Sequence, residues 1–253
     1  MFGNINSINY TKNSFSNIQR YDETQTSPTM SKYPPVNFRG DVDLSAYEVS
    51  KLFKQKYNIE SDFGGNSKLA NFVMTAFDNI DKNFASLKNA RLKIVYDYSI
   101  FENIKKGVNP DGSVKELCPA VMDSKETKDG TLFLNPKFDW VNIEERIKNN
   151  FTKGNLAYDK PEGLIYHELA HYFHAKSDWG GYKSACKQTP FLHEKIIMES
   201  EVSKLAASDF GEFVAEVFAA KMLGKEFSEN IKNIYNKFAY YGPKIFQPKV
   251  RFI

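Results

Sequence analysis

The sequence predicts an α+β fold, mainly helical with a small sheet. Three observations carry that expectation. Long stretches place apolar residues three and four apart, two short strand-like stretches (one β-branched, one apolar) interrupt them near the middle, and helical spacing then returns. The chain has 253 residues, 42% of them apolar and 26% charged, which is enough material to bury a sizeable core.

Residues 1–43 are rich in Asn, Ser, Thr, Gln and Pro, with Ile5, Ile8, Phe15 and Ile18 sparse and aperiodic. They read as a polar, largely disordered leader, and residues 44–253 as the folded domain. From Leu44 the spacing turns helical through Tyr47, Leu52 and Phe53. Asn66 to Leu87 is a longer helix whose stripe is Leu69, Phe72, Val73, Ala76, Phe77, Ile80, Phe84 and Leu87. Residues 90–100 alternate and are β-branched, so they read as a strand. Residues 103–130 carry Gly, Pro, Asp and Lys and read as loop and hairpin material. Thr131 to Asn135 is a short apolar strand stopped by Pro136. Helices are expected over Val141–Asn150, Pro161–Lys176, Asp209–Leu223 (ended by Gly224) and Ser228–Phe238.

Composition excludes several classes. Lys+Arg 34 against Asp+Glu 31 leaves a net charge of only +3, which lacks the basic excess of a nucleic-acid binder. No run of eighteen apolar residues exists, so no membrane span is expected. The N-terminus lacks an apolar core and a small-residue cleavage site, so no standard signal peptide is expected. The protein is then cytoplasmic or exported by a non-standard route. Cys118 and Cys186 are too few for a disulfide scaffold and fit a reducing compartment or one bridge.

Half of the four histidines lie in His167-Glu168-Leu169-Ala170-His171. On a helix, residues four apart differ by about 40° and one turn of rise, so both rings project from one face. Two neutral imidazoles so placed can grip one Zn²⁺. Glu168, about 100° round, flanks the metal without ligating it, where it can take a proton from metal-bound water. Ile165, Leu169 and Phe173 anchor the other sides. Chance would give about 0.004 such patterns in a chain of this composition.

Catalytic zinc takes three protein ligands and leaves one position for water. The second special helix, DFGEFVAEVFAAKM, offers Glu212 and Glu216, four apart on one face. Glu212 has two readings by pattern alone: a third ligand, or the partner of Asp209 in a capping box. Glu216 is a metal-site carboxylate or an exposed helix carboxylate. His174 either lines the cleft or is a partly exposed helix residue. His193 follows Pro190 in a less regular stretch.

HELAH followed by EFVAE resembles the anthrax lethal factor-like zinc metallopeptidases, gluzincins that include the clostridial Pro-Pro endopeptidases. TLFLNP (131–136) resembles the strand that borders the family's active-site cleft, and YYGPKIFQ (240–247) its C-terminal segment. The resemblance covers roughly residues 90–253. It implies a zincin-like metallopeptidase domain with a small sheet whose edge strand borders the cleft. It makes His167, His171 and Glu212 the ligands of one zinc ion, Glu168 the general base and later acid, and Glu216 a carboxylate orienting a ligand histidine. The implied activity is endopeptidase cleavage of an extended protein or peptide segment. Thr131–Asn135 would pair with that segment as an edge, or sit as an ordinary sheet member. Tyr166, Phe173 and Trp179 would form subsite walls or belong to the core.

One departure matters. The family commonly places an oxyanion-steadying tyrosine seven residues before the glutamate ligand, where this chain has Leu205. Leucine donates no hydrogen bond. Either Tyr166, Tyr182, His193, Tyr240 or Tyr241 substitutes, or the protein is a weak or inactive zinc-binding pseudoprotease acting as a peptide-binding module. A purely structural protein with a chance HExxH is the remaining reading.

Overall fold

The structure is a computed structural model that describes residues 44–88, 90–102, 118–239 and Ile245. The expected leader, residues 103–117 and nearly all of the 240–247 segment lie outside the described residues.

Ser45 opens α1 (Ala46–Tyr57) with a capping box: Glu48 N donates to its hydroxyl, and Ser45 N donates to the Glu48 carboxylate. Asn58, in the left-handed region at φ 58°, closes the helix. α2 (Ser67–Asn83) is capped by Asn66 and buries the predicted stripe from Leu69 to Ile80. Phe53 of α1 meets Phe77 of α2 edge-on at 5.0 Å. α2 stops four residues before the expected Leu87, because Asp81 Oδ1 accepts from Leu87 N at 2.7 Å and turns the chain back. Leu87 is buried all the same.

The sheet contains β1 (Glu60–Ser61), β2 (Leu92–Tyr96), β3 (Ala120–Ser124) and β4 (Gly130–Leu134), in the order β1-β2-β4-β3. β1, β2 and β4 are parallel, and β3 runs antiparallel to β4. This corrects the reading of Thr131–Asn135 as an edge: β4 is paired on both sides, with Leu132 and Leu134 fully buried. The edges, among the described residues, are β1 and β3, and β3 is the one packed against α4. The stretch expected to be loop and hairpin does contain a hairpin, closed by Lys125 N donating to Asp129 O and Lys128 N to Lys125 O. Its first strand was masked by the Asp and Ser in AVMDS, which dilute the apolar alternation.

Six helices follow: α3 (Ile143–Thr152), α4 (Glu162–Ser177), α5 (Trp179–Ala185), α6 (Leu192–Glu201), α7 (Phe210–Met222) and α8 (Glu229–Phe238). α5 and α6 are additions to the prediction. α5 is short and holds Gly180 and Gly181, which lower helix propensity. α6 leaves Leu192 and Ile196 exposed, so its apolar residues mark no core stripe. α4 is buried along residues 162–175 and packs against α2, β3, α5 and α7. An interior helix of this kind is apolar on every side, so the polar groups it carries stand out. The mainly helical α+β expectation with a small sheet therefore holds. All described residues belong to the unit Val36–Ile253.

Candidate metal centre

α4 and α7 carry the cluster. On α4, one turn separates His167 from His171, and their Nε2 atoms lie 3.2 Å apart. α7 starts at the Asp209 cap, whose Oδ1 accepts from Glu212 N at 3.0 Å. The predicted cap is thus real, but the Glu212 carboxylate does not reach back to complete a box. It turns to α4 instead, with Oε2 3.2 Å from His167 Nε2 and Oε1 3.5 Å from His171 Nε2.

Those spacings fit a metal. Ligands about 2.0–2.1 Å from a tetrahedral zinc lie about 3.3 Å from one another. His167, His171 and Glu212 each offer an atom within 4.8 Å of the others, a cluster able to hold a metal ion. The charge balance agrees. Glu168, Glu212 and Glu216 crowd one buried region, and buried carboxylates need positive charge nearby.

Glu216 is 0% exposed, which overturns its reading as an exposed carboxylate. Its Oε1 accepts from His167 Nδ1 at 2.9 Å, and its Oε2 accepts from Ala157 N at 2.7 Å and Ser203 Oγ at 2.8 Å. With Nδ1 held by Glu216, Nε2 is the His167 atom turned toward the cluster. His171 Nδ1 is buried and has no partner among the described residues.

Electrostatics sort the groups. Burial opposes charge on His167, but the Glu212 and Glu216 carboxylates outweigh it and hold its pKa well above the usual value. Burial lowers His171 to about 4, so it is neutral at pH 7, as a ligand must be. Burial also raises Glu212, but the two histidines override it and lower its pKa. Glu168 rises to about 7, chiefly through burial and with help from Glu212, against His167. Its Oε2 accepts from Met122 N of β3 at 2.7 Å. A carboxylate poised near neutrality can both take and return a proton.

The proposed substitutes for the missing tyrosine separate clearly. Tyr166 points to α2, where its hydroxyl accepts from Asn79 Nδ2 at 3.1 Å. His193 is exposed on α6, its ring stacked on Phe191. Tyr182 of α5 lies beside the cluster, its ring 6.0 Å from that of His171. Tyr240 and Tyr241 lie outside the described residues. His174 is 2% exposed, not partly exposed, and packs on Tyr182 at 5.4 Å. Phe173 belongs to the core with Phe84 and Phe218, while Trp179 is half-buried against Tyr182.

Sequence reasoning missed Ser203, Tyr158 and the Met122 N–H. A backbone donor leaves no trace in residue type, and Ser203 and Tyr158 lie in loops without periodicity. Tyr158 is 3% exposed, its ring 6.5 Å from that of His167.

No protein-family model matches the chain, and no curated protein matches it. Among solved structures, a candidate zinc-binding metallo-peptidase from Bacteroides caccae is similar at 16% identity. The likeness covers 79% of this chain and 80% of that one, with a TM-score of 0.35. At that score it leaves the geometry of the cluster as the basis for any function. No helix of the described residues is long and apolar enough to cross a membrane.

Proposed function

We propose that residues 44–253 form a zinc-dependent endopeptidase domain that hydrolyses peptide bonds in an extended protein segment. The observation that carries this reading is the convergence of His167 Nε2, His171 Nε2 and the Glu212 carboxylate at 3.2–3.5 Å, with Glu168 beside them. The resemblance of HELAH and EFVAE to lethal factor-like metallopeptidases supports it.

His167, His171 and Glu212 would hold the zinc, with Glu216 fixing the His167 ring. Bound zinc supplies a Lewis acid that activates water and polarises a carbonyl. Glu168 accepts the proton released as water attacks the carbonyl carbon. It then delivers that proton to the nitrogen as the C–N bond breaks. Alternation along β3 turns the main-chain groups of Ala120, Met122 and Ser124 away from β4. Substrate would pair with that edge as an added strand, while Glu168 holds the Met122 N–H.

Glu168→Gln removes the proton acceptor and leaves the three ligands. Zinc content should stay at one per chain and cleavage of a peptide library should fall by about 10²–10⁴. A variant that cleaves as fast as the parent removes Glu168 from the mechanism. Leu205 at the usual tyrosine position favours a second reading, an inactive peptide-binding module. Chelator-sensitive products from the library decide for the enzyme, and bound but uncut peptides decide for the module.

A further inference from the structure

Attack on a peptide carbonyl puts negative charge on its oxygen, and a neutral hydrogen-bond donor beside the metal lowers that barrier. Glu168 cannot serve, because it is occupied with the proton. Among titratable side chains other than the histidines and carboxylates already assigned, three carry a donor and feel the charges of both Glu168 and Glu212: Cys118, Tyr158 and Tyr182. One is engaged: the Cys118 thiol donates to Ala120 O at 3.0 Å. The Tyr182 ring packs on His171 and His174, whereas Tyr158 is the one set beside His167. The Tyr158 hydroxyl has no hydrogen-bond partner among the described residues, and it is not sealed off as His171 Nδ1 and His174 Nδ1 are.

The backbone around Tyr158 is held to the same machinery. Ala157 N and Ser203 Oγ both donate to Glu216 Oε2, the carboxylate that fixes His167. Lys204 N donates to Gly154 O and Leu205 N to Asn155 O, so the Tyr158 loop runs beside the segment that carries Leu205. Gly163, four residues before His167, lets the ring lie flat on α4: a Cβ there would stand 2.3 Å from Tyr158 Cγ and Cδ2.

We propose that Tyr158 is the oxyanion donor of this site, its O–H filling the role that Leu205 cannot. The proposal rests on the zinc endopeptidase reading. As the carbonyl π pair moves onto oxygen, the hydroxyl donates a hydrogen bond and keeps its proton, so no charge or atom is transferred. Burial, then the charges of Glu216, Glu168 and Glu212, keep the phenol neutral across the working pH range.

Tyr158→Phe removes only the donor. Against the zinc-loaded parent, kcat should fall about 10²-fold with KM within about threefold. Zinc content should be unchanged. Affinity for a phosphinic peptide, whose tetrahedral centre carries the charged oxygen, should fall by a similar factor, while affinity for the planar cleavage product should not. A Y158F kcat within about threefold of the parent overturns the proposal. A second measurement does not depend on how that variant folds. With 3-fluorotyrosine at position 158 of the parent chain, the fluorine resonance should move when the phosphinic peptide binds and stay put with product. A resonance that ignores the phosphinic peptide also overturns it. If the parent cleaves and Glu168→Gln does not, such results sink Tyr158 alone. If the parent neither retains zinc nor cleaves, the endopeptidase reading fails and Tyr158 loses its role with it.

Discussion

Glu216 holds three donors at once, from α4, from the loop before α4 and from the loop before α7. Removing a buried acceptor strands its donors, and each stranded group costs about 1–3 kcal/mol. Glu216→Ala should therefore lower unfolding free energy by about 3 kcal/mol in urea titrations. Zinc affinity, measured by competition with a chelator, should drop by about 10–100-fold as the His167 ring loses its anchor. His174 is the other residue whose burial has a measurable consequence. Burial lowers its pKa to about 4, whereas the unfolded chain protonates it near 6.5. Between those values the unfolded state binds the extra proton, so stability is lost as pH falls from 6.5 to 4. Glu168, raised to about 7, acts in the opposite sense from 7 down to its unfolded value. The difference between parent and His174→Asn isolates the histidine. In metal-free protein that variant should lose less stability on acidification, by up to about 1.4 kcal/mol per pH unit. Parallel pH profiles would show that His174 titrates alike in both states.

The start of α7 shows how an element can serve two ends. Asp209 caps the helix and, by doing so, releases the Glu212 carboxylate to face α4. Asp209→Ala should cost about 1 kcal/mol in a denaturant titration. It should also weaken zinc binding, because Glu212 sits in the first turn, which frays first. Unchanged zinc affinity would mean that α4 packing alone fixes Glu212. α4 and α7 together show what the chain made legible. HELAH has a spacing that only a helix turns into one face, so the two histidines and Glu168 could be placed before any coordinates. Glu212 was divided between cap and ligand because both readings use the same residue at the same distance from Asp209. Only the direction of the carboxylate separates them, and tertiary packing sets that direction. β3 was legible only as part of a hairpin stretch, without bounds, for a related reason. Its five residues owe their strand conformation to pairing with β4 and to α4 beneath, which local pattern does not encode. α6 was missed because Leu192 and Ile196 face outward and leave only Ile197 and Met198 on the core, too few for a stripe.

At the scale of the molecule, the cluster ties two parts of the chain that are far apart in sequence. His167 and His171 lie on α4, Glu212 lies on α7, and these helices pack along each other through the core. A metal shared between them would bind the folded state and would have no equivalent site in the unfolded chain. Folding and binding are then linked, and free zinc at about 1,000 times its dissociation constant adds about 4 kcal/mol to stability. For a folded part of this size, each kcal/mol moves the midpoint by about 2–4 °C. Chelator should therefore lower the thermal midpoint by about 8–16 °C, and zinc should restore it. Variants separate the ligands from the base. His171→Ala should melt at one temperature with or without zinc, because two remaining ligands no longer close the site. Glu168→Gln should keep the full zinc increment while losing cleavage. A zinc increment that survives His171→Ala would place the ion elsewhere, and the α4–α7 contact would then be held by apolar packing alone.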